Sequence, residues 1–478
     1  MTQTVPASLK EAAARSACDG DALRRFARHL QALPPYRAAR INPFEFADAA
    51  GIGSEAALDL FVHGAKLGLF DLEWGMVCPL CGGITHSVAE LDRVAEDSLH
   101  CSLCDKDVDS VLDDTVEVSF AYAVPGAAFD LHRDFTTYQH YYTSSSYPYR
   151  DDWRDYHERH TVADVKLEPG QAATLPLRLE AGEGYRLICL DTHSGAELLV
   201  VEEEAPASGK AKAVELSLSN AGFSQPEVSV PAGDAALALA NETDQTVWCR
   251  VLHRDMAEIR AILDQGPPVF SRRLTGKHLL NNQAFRDNFA MQELAPDLKL
   301  KLRSLTLLFT DLKGSTALYD REGDLAAYRL VQDHFAALKQ VVRHHSGAVV
   351  KTMGDAVMAA FPNGNDGTAA AIAMMAAMRE LADGRRGDGV GLKVGLHAGP
   401  ALAINAGQTL DYFGQTVNIA ARVQGLADAG EICLTRALND NDEVPALLSQ
   451  SGYSGRPELA RLKGVSAEEQ IFRYHVAT

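Results

Sequence analysis

The sequence lacks any apolar run long enough to cross a membrane. Its longest apolar stretch, from Ala369 to Met378, is alanine-rich. It falls well short of the ~20 residues that a spanning helix needs, so we interpret it as a core helix. The N-terminus is polar and lacks the profile of a secretion signal. These absences predict a cytoplasmic protein with no membrane insertion.

Positive charge is also scarce. The 478 residues include 45 Lys and Arg against 64 Asp and Glu, which gives a formal net charge of −19. This balance argues against a nucleic-acid-binding surface and fits an enzyme whose anionic substrate arrives with a metal ion. With 46% hydrophobic residues, a chain of this length predicts a globular protein of about two to four domains.

Cysteine is rare, but four of the eight cysteines form a pattern. Cys78-Pro-Leu-Cys81 and Cys101-Ser-Leu-Cys104 are two CxxC pairs with 19 residues between them, a spacing typical of a zinc ribbon. Four thiolates would hold one zinc ion in a closed tetrahedral site with a structural role. Two disulfides are the alternative, which a cytoplasmic setting disfavours, and a redox sensor is a third interpretation.

Composition and periodicity predict a multi-domain α+β protein. The predicted order is a helical, winged-helix-like region (1–74), a zinc-ribbon-like region (75–115), a β-rich regulatory domain (116–255), a helical linker (256–302) and a catalytic α/β domain (303–478). Alternating strands with turn signals between residues 161 and 254 indicate a small antiparallel β-sandwich. The linker is predicted to contain two helices, Met256 to Leu263 and Leu279 to Glu293.

The helix predicted from Ser54 to Lys66 bears on nucleic-acid binding. Its apolar spacing is amphipathic, and Ser54 is a suitable N-cap. Together with the preceding helix it resembles a helix-turn-helix, with residues 68–74 as the wing. A DNA-reading helix needs basic and amide side chains, whereas this one carries Glu55, Asp59 and only Lys66. We therefore predict a structural or protein-contacting role.

Two aspartates in the C-terminal third indicate phosphoryl chemistry. Asp311 ends an apolar run that begins at Leu305, and Asp355 lies in the turn of an apolar stretch from Val349 to Phe361. A hard divalent cation is held by one or two carboxylates plus substrate phosphates, and two such ions can serve one phosphorus. Taken alone, each aspartate is equally typical of a turn or a helix cap.

Five motifs make this indication specific: Phe309-Thr-Asp-Leu-Lys-Gly-Ser-Thr316, Lys351-Thr-Met-Gly-Asp355, Val394-Gly-Leu-His-Ala-Gly399, Asp411-Tyr-Phe-Gly-Gln-Thr-Val-Asn-Ile-Ala-Ala-Arg422 and Arg461-Leu-Lys-Gly464. In order and spacing, residues 303–478 resemble the catalytic domain of class III adenylate and guanylate cyclases, in particular the bacterial soluble adenylate cyclases. The resemblance covers a little over a third of the chain. It implies a ferredoxin-like α/β sandwich with a βαββαβ core, and strands near residues 305–311, 348–353, 356–361 and 391–397 are expected to form its sheet.

The resemblance also implies roles for single residues. Asp311 and Asp355 match the family's metal-binding aspartates, and Leu312 matches a position whose backbone carbonyl reaches a metal. The implied cofactors are two Mg²⁺ or Mn²⁺ ions in each active site. Lys351 and Asp411 match the pair that reads the purine. A lysine donates to the ring nitrogen of adenine and an aspartate accepts from its amino group, so the pair predicts ATP rather than GTP.

The remaining matches concern the ribose and the phosphates. Asn418 and Arg422 match the pair that positions the ribose and stabilises the transition state, and Lys463 matches a lysine that contacts the terminal phosphates. The family's sites form between two catalytic domains, and this chain has one, so a homodimer is expected. Tyr412 and Phe413 depart from the family because they are bulkier than expected beside the purine.

The predicted function is that of an adenylate cyclase, which converts ATP to cyclic AMP and pyrophosphate. In many cyclases a helix ahead of the catalytic domain passes a regulatory signal, and the resemblance suggests the same for residues 256–302. The N-terminal half is expected to bind an unidentified regulatory ligand or protein. A guanylate cyclase and a catalytically inactive, nucleotide-binding signalling adaptor are the alternatives.

Overall fold

The computed structural model describes most of the chain. The described residues are 6–16, 18–88, 98–101, 106–109, 112–113, 115–122, 130–133, 135–144, 146, 151–202, 213–265, 270–289, 299–314, 323–383, 391–406, 409–441, 443–465 and 468–476. Among the helices within these ranges, none has the length and apolarity that crossing a bilayer would require.

The first part of the chain packs five helices against a small sheet. The helices are α1 (Ala7–Arg15), α2 (Gly20–Ala32), α3 (Pro35–Ala38), α4 (Pro43–Ala50) and α5 (Ser54–Lys66). Strand β1 (Asp71–Val77) pairs antiparallel with both β2 (Ile84–Val88) and β5 (Val116–Ala121). A separate hairpin joins β3 (Ser98–Cys101) and β4 (Lys106–Asp109). Phe26, Phe61, Trp74 and Phe120 are fully buried in the shared core.

Helix α5 has its predicted bounds but different contacts. Gly53 precedes the helix without a side-chain cap, so the prediction of Ser54 as the N-cap is wrong. The Ser54 hydroxyl instead accepts a hydrogen bond from Arg272 at 2.8 Å. Residues 71–77 form the middle strand of a sheet rather than an exposed wing. The acidic side chains of α5 contact the C-terminal domain, where Asp59 pairs with Arg343.

The middle of the chain forms a two-sheet sandwich, preceded by α6 (Phe135–Tyr142) and α7 (Asp151–Arg159). One sheet has the order β11-β10-β13-β7 and the other β12-β9-β8-β14-β6. The strands are β6 (Thr161–Leu167), β7 (Ala172–Leu179), β8 (Tyr185–Cys189), β9 (Ser194–Val201), β10 (Ala213–Ser219), β11 (Gly222–Phe223), β12 (Glu227–Pro231), β13 (Gly233–Asn241) and β14 (Val247–His253).

The sequence predicts an antiparallel sandwich, but two of the strand pairs in the structure are parallel. Strands β10 and β13 run parallel, and so do β9 and β12. In both cases other strands intervene in the chain, which gives room for the crossover that parallel pairing requires. Alternation of apolar and polar residues defines the buried face of a strand but carries no information about the direction of its neighbour.

In the described residues between the sandwich and the C-terminal sheet, the helices are α8 (Met256–Leu263), α9 (Gly276–Leu280) and α10 (Gln283–Asn288). The single helix predicted from Leu279 to Glu293 is wrong as far as the described residues reach, because α9 and α10 are separate. The Asn282 side chain accepts a hydrogen bond from the Phe285 N–H at 2.9 Å. Asn282 thus caps a new helix instead of continuing the previous one.

The C-terminal domain is built on an eight-stranded sheet with the order β16-β17-β15-β18-β20-β22-β21, and β19 pairs with β18. The strands are β15 (Lys299–Lys313), β16 (Ala348–Met353), β17 (Ala356–Phe361), β18 (Gly391–Asn405), β19 (Leu410–Phe413), β20 (Ile432–Thr435), β21 (Tyr453–Arg461) and β22 (Glu468–Val476). The helices are α11 (Asp324–His344), α12 (Gly364–Asp383), α13 (Gln415–Leu426), α14 (Arg436–Asn439) and α15 (Glu443–Gln450).

The two faces of this sheet have different coverings. Leu308 and Leu312 of β15 pack in one core cluster with side chains of α11 and α12. Phe309, on the opposite face, belongs to the cluster that contains the N-terminal helices. Helix α13 lies on that second face against Gly395, where an added Cβ would come within 2.1 Å of the Gln424 backbone nitrogen. Only glycine permits this close approach of helix and strand.

Candidate nucleotide and metal site

The two candidate metal ligands lie at the same edge of the C-terminal sheet. Asp311 is near the end of β15, and Asp355 is in the turn between β16 and β17. The buried hydroxyl of Thr310 accepts a hydrogen bond from the Val357 N–H at 3.1 Å. Extending this antiparallel alignment by two residues brings the turn at Asp355 level with Leu312. The sheet therefore brings both carboxylates to one edge.

Asp311 has a basic neighbour that the sequence had not indicated. Lys393 is the cross-strand partner of Asp311 on β18, and its Nζ lies 3.1 Å from Asp311 Oδ2. The contact depends on which strands pair, and two residues 82 positions apart give no local sign of it. Lys393 would balance part of the negative charge when no cation is bound.

Beneath the Asp355 turn lies a neutral histidine. His334 of α11 is fully buried, and its Nδ1 is 3.1 Å from the Met378 sulfur. Burial lowers the pKa of His334 to about 4, against a smaller opposing influence of Asp355, so the imidazole is uncharged at neutral pH. The two carboxylates, Asp311 and Asp355, are partly exposed and match the oxygen-donor preference of Mg²⁺ and Mn²⁺.

The candidate purine-reading pair is already assembled within one chain. Lys351 of β16 and Asp411 of β19 lie on strands that do not pair with each other. Their side chains nevertheless meet, with Lys351 Nζ 2.5 Å from Asp411 Oδ2. The Tyr412 N–H donates to the other carboxylate oxygen at 2.8 Å. A donor and an acceptor thus stand side by side, as the edge of adenine requires.

Asn418 and Arg422 share the exposed face of α13. At 100° per residue they project about 200° and 240° round the helix from Thr416, away from the buried positions Thr416, Ile419, Ala420 and Val423. Within the described part of the chain, no hydrogen bond or ion pair engages either side chain. These two residues therefore point away from the sheet on which their own helix packs.

Lys463 lies in the turn between β21 and β22 and is exposed. No contact in the described residues brings it to Asp311, Asp355 or the Lys351–Asp411 pair. Of the eight residues that the resemblance implied, one chain therefore assembles the metal edge and the purine pair. It leaves Asn418, Arg422 and Lys463 directed to solvent.

Three of the four CxxC cysteines converge at the end of β1. The sulfur atoms of Cys78, Cys81 and Cys101 all lie within 4.8 Å of one another, and Cys81 Sγ is 3.6 Å from Cys101 Sγ. Thiolates on a tetrahedral zinc, at ~2.3 Å from the metal, would be about 3.8 Å apart. Cys104 lies outside the described residues. The donor set and spacing of the other three fit a zinc ion.

Comparison with known families divides the chain in two. Residues 3–287 match a family described as a family of unknown function (DUF5939). Residues 299–456 match the adenylate and guanylate cyclase catalytic domain. The residues between these matches, 288–298, begin at the last residue of α10 and end just before β15.

The three curated relatives described here each match about a third of the chain or less, and the chain spans less than half of the length of each. An adenylate cyclase of Lachancea kluyveri is 29% identical over 182 residues, 34% of this chain and 10% of that protein. One from Anabaena cylindrica is 31% identical over 137 residues, 26% of this chain and 27% of its own length. Adenylate cyclase 2 of Rhizobium meliloti (strain 1021) is 29% identical over 181 residues, 35% and 48% of the two chains.

Among solved structures, the adenylyl cyclase CyaB from P. aeruginosa aligns with a TM-score of 0.33 and 22% identity, over 38% of this chain and 97% of that one. The guanylyl cyclase Cya2 aligns with a TM-score of 0.32 and 18% identity, over 38% and 95%. The chain belongs to the DUF5939 family and carries, after that region, a catalytic domain of the class III adenylate/guanylate cyclase family.

Proposed function

We propose that the protein is an adenylate cyclase that converts ATP to 3′,5′-cyclic AMP and pyrophosphate. The contact between Lys351 and Asp411 carries this proposal. It pairs a donor with an acceptor in the order that the ring nitrogen and amino group of adenine require. Guanine presents the reverse order at that edge, so its binding would leave both side chains facing groups of the wrong kind.

Asp311 and Asp355 would hold the divalent ions, together with the backbone carbonyl of Leu312. When bound, such ions lower the pKa of the attacking ribose 3′-hydroxyl and neutralise the triphosphate. Lys393, now paired with Asp311, would stay nearby as a fixed positive charge beside the phosphates. Each of these groups lies at one edge of a rigid sheet, which favours precise placement of the α-phosphorus.

Asn418 and Arg422 would complete the site from a second copy of the chain. Asn418 would orient the ribose for in-line attack, and Arg422 would stabilise the charge that develops on the phosphoryl oxygens. Their outward direction on α13 supports this arrangement, because the helix lies between these side chains and its own sheet. Lys463, equally exposed, would contact the terminal phosphates.

A homodimer would therefore contain two equivalent sites related by a two-fold axis. Each site would take the two aspartates from one copy, and the purine pair, Asn418 and Arg422 from the other. Phe413 is 63% exposed beside the purine strand, and a partner would remove this large aromatic side chain from water. The monomer would have almost no activity.

The direct test is incubation of the full chain with ATP and Mn²⁺ or Mg²⁺, followed by detection of cyclic AMP. We expect cyclic AMP to form and Asp311→Ala to lower the rate at least about a hundredfold, since ion-mediated charge stabilisation is lost. Asp440→Ala is the matched control, because Asp440 is an exposed aspartate whose ion-pair partner, within the part of the chain that the structure describes, is Arg436. No product from the unaltered chain with either ion would favour the inactive adaptor, and product from GTP alone would favour a guanylate cyclase.

We also propose that Cys78, Cys81, Cys101 and Cys104 hold one structural zinc ion. Metal analysis of reduced protein should give close to one zinc per chain, and Cys78→Ser should abolish it. Cys18 is partly exposed and lies well before Cys78 in the sequence, so Cys18→Ser should leave the zinc content unchanged. Because a structural zinc contributes directly to folding, a chelator should lower the unfolding temperature. Far less than one zinc per chain would contradict the proposal.

A further inference from the structure

A short segment of the N-terminal region touches both strands that carry the purine pair. This docking segment, residues 276–288, consists of α9 and α10. Nearly all of it falls within the DUF5939 match, which ends at residue 287, and it precedes the cyclase match at residue 299. Its contacts therefore join the region of unknown function to the catalytic domain.

The first contact surrounds Asp411. Tyr412, the next residue, is 3% exposed, and its hydroxyl donates to Asn281 Oδ1 at 2.8 Å. Arg286 Nη1 donates to the carbonyl of Leu410, the preceding residue, at 2.9 Å. The Arg286 guanidinium also lies 5.3 Å from the centre of the Tyr412 ring. Both neighbours of Asp411 are thus fixed by the docking segment.

The second contact reaches the strand of Lys351. Gln283 is 5% exposed, and its Oε1 accepts a hydrogen bond from the Val349 N–H at 2.8 Å. Val349 is two residues before Lys351 on β16, so the same segment also holds the other member of the pair. Gln283 Nε2 donates to Asp287 at 2.8 Å, which fixes the amide in this orientation.

The docking segment is itself anchored in the N-terminal core. Gly276 packs so closely that an added Cβ would lie 2.7 Å from the Leu112 side chain. The Lys277 N–H donates to the Leu112 carbonyl at 3.1 Å, and Leu279 and Leu280 are fully buried. A displacement of the N-terminal core would therefore move the docking segment, and with it the strands that it holds.

The Tyr412 side chain takes part in these contacts with the docking segment. Its bulk departs from what the family resemblance leads one to expect beside a purine, yet its ring does not occupy the purine side. It is buried towards Asn281 and Arg286 instead. The departure at position 412 is therefore accounted for by attachment to the N-terminal region.

We propose that the DUF5939 region holds Lys351 and Asp411 in position relative to each other, through the hydrogen bonds of Asn281, Gln283 and Arg286. These three are positioning residues for the nucleotide base, since none of them belongs to the purine pair itself. The inference rests on the proposed function, because it assigns Lys351 and Asp411 to the base. The N-terminal region then acts as a scaffold for substrate selection, and any ligand or partner that moves it would change the affinity for the base.

The test compares two variants with one matched control. Tyr412→Phe removes only the hydroxyl that reaches Asn281. Arg286→Met removes the hydrogen bond to the Leu410 carbonyl, together with the one that Arg286 Nε donates to the Leu280 carbonyl within the docking segment. The control, Arg343→Met, breaks the ion pair with Asp59 that also joins the two regions. Among the described residues, Arg343 makes no hydrogen bond or ion pair with β16 or β19. For each variant, KM and kcat are measured with ATP and GTP, and binding of non-reactive ATP and GTP analogues is measured separately.

We expect each test variant to raise the KM for ATP about tenfold, as loss of one buried hydrogen bond would. The ratio of kcat/KM for ATP to kcat/KM for GTP should fall by a similar factor, whereas kcat should change less. The Arg343→Met control should keep the ratio of the unaltered chain. If both test variants only lower the unfolding temperature and keep the full preference, the segment is merely structural and the inference fails. If the unaltered chain makes no cyclic nucleotide, the proposed function fails, and the analogue-binding preference still decides the inference.

Discussion

Chains carrying Asp311→Ala and chains carrying Arg422→Ala should each be nearly inactive, and mixing them should restore cyclic AMP formation. In a shared site the first variant lacks a metal ligand and the second lacks the arginine that faces the phosphates. A mixed dimer has one site in which both defects meet and one in which neither occurs. With equal amounts and random pairing, about a quarter of the sites are intact, so about a quarter of the unaltered activity should return.

The control is a mixture of Asp311→Ala and Asp355→Ala chains. Both substitutions remove ligands from the same half of the site, so every site in the mixed dimer lacks at least one, and no activity should return. A mixture of Lys351→Ala and Arg422→Ala should behave in the same way, because both residues belong to the other half. Restoration in these controls, or its absence in the first mixture, would contradict the shared site. Subunit exchange is verified independently with differently tagged chains.

The physical reason for expecting restoration lies in α13. Its buried positions face the sheet at Gly395 and Gly399, where an added Cβ would collide with Gln424 and Thr416. The helix therefore cannot rotate to bring Arg422 inward without losing this close packing, which only glycines at those two positions permit. An Arg422 side chain that contributes to catalysis must do so towards another molecule.

Elements with a strong local signal were predicted closely from the sequence. Strands 348–353 and 356–361 were predicted with the bounds that the structure has. They are short apolar runs separated by Gly354, whose φ of 65° suits a tight turn. Strand β15 was predicted from residue 305 to 311 but begins at Lys299. Its first residues alternate lysine and leucine, a strand pattern that the prediction of a helical linker up to residue 302 did not use, and they pair with residues 401–404.

Contacts between distant segments could not be predicted. The ion pair of Lys393 with Asp311 depends on the pairing of β15 with β18. The attachment of Tyr412 to Asn281 joins residues 131 positions apart, on elements that appeared as a linker and a catalytic motif. The sequence motifs predict which residues take part in chemistry because residue type and spacing carry that kind of information. The groups that hold them in place are chosen by tertiary packing, which local periodicity does not report.

The base preference gives the other large expected effect. With the unaltered chain, kcat/KM for ATP should exceed that for GTP at least about a hundredfold, because a site built around specific hydrogen bonds rejects a base that leaves them unmade. Asp411→Ala removes the carboxylate that we propose accepts from the adenine amino group, and it takes away the partner with which Lys351 pairs. This variant should lose most of the efficiency with ATP and nearly all of the preference.

A double substitution should reverse the preference. Guanine presents a carbonyl acceptor where adenine has its amino group, and a ring N–H donor where adenine has an acceptor. In Lys351→Glu/Asp411→Asn, the glutamate would accept from the ring N–H and the asparagine amide would donate to the carbonyl. Kinetics with both nucleotides should then show GTP preferred over ATP.

The matched control for this reversal is Arg436→Glu/Asp440→Asn, at an exposed ion pair on and beside α14. It makes the same type of change in charge outside the strands that carry Lys351 and Asp411, so the preference for ATP should persist. If the chain with Lys351→Glu/Asp411→Asn still selects ATP, other residues recognise the purine, and the assignment of Lys351 and Asp411 is wrong. The reversal tests the assignment more stringently than loss of activity does, because damage to the site alone would not increase its activity with GTP.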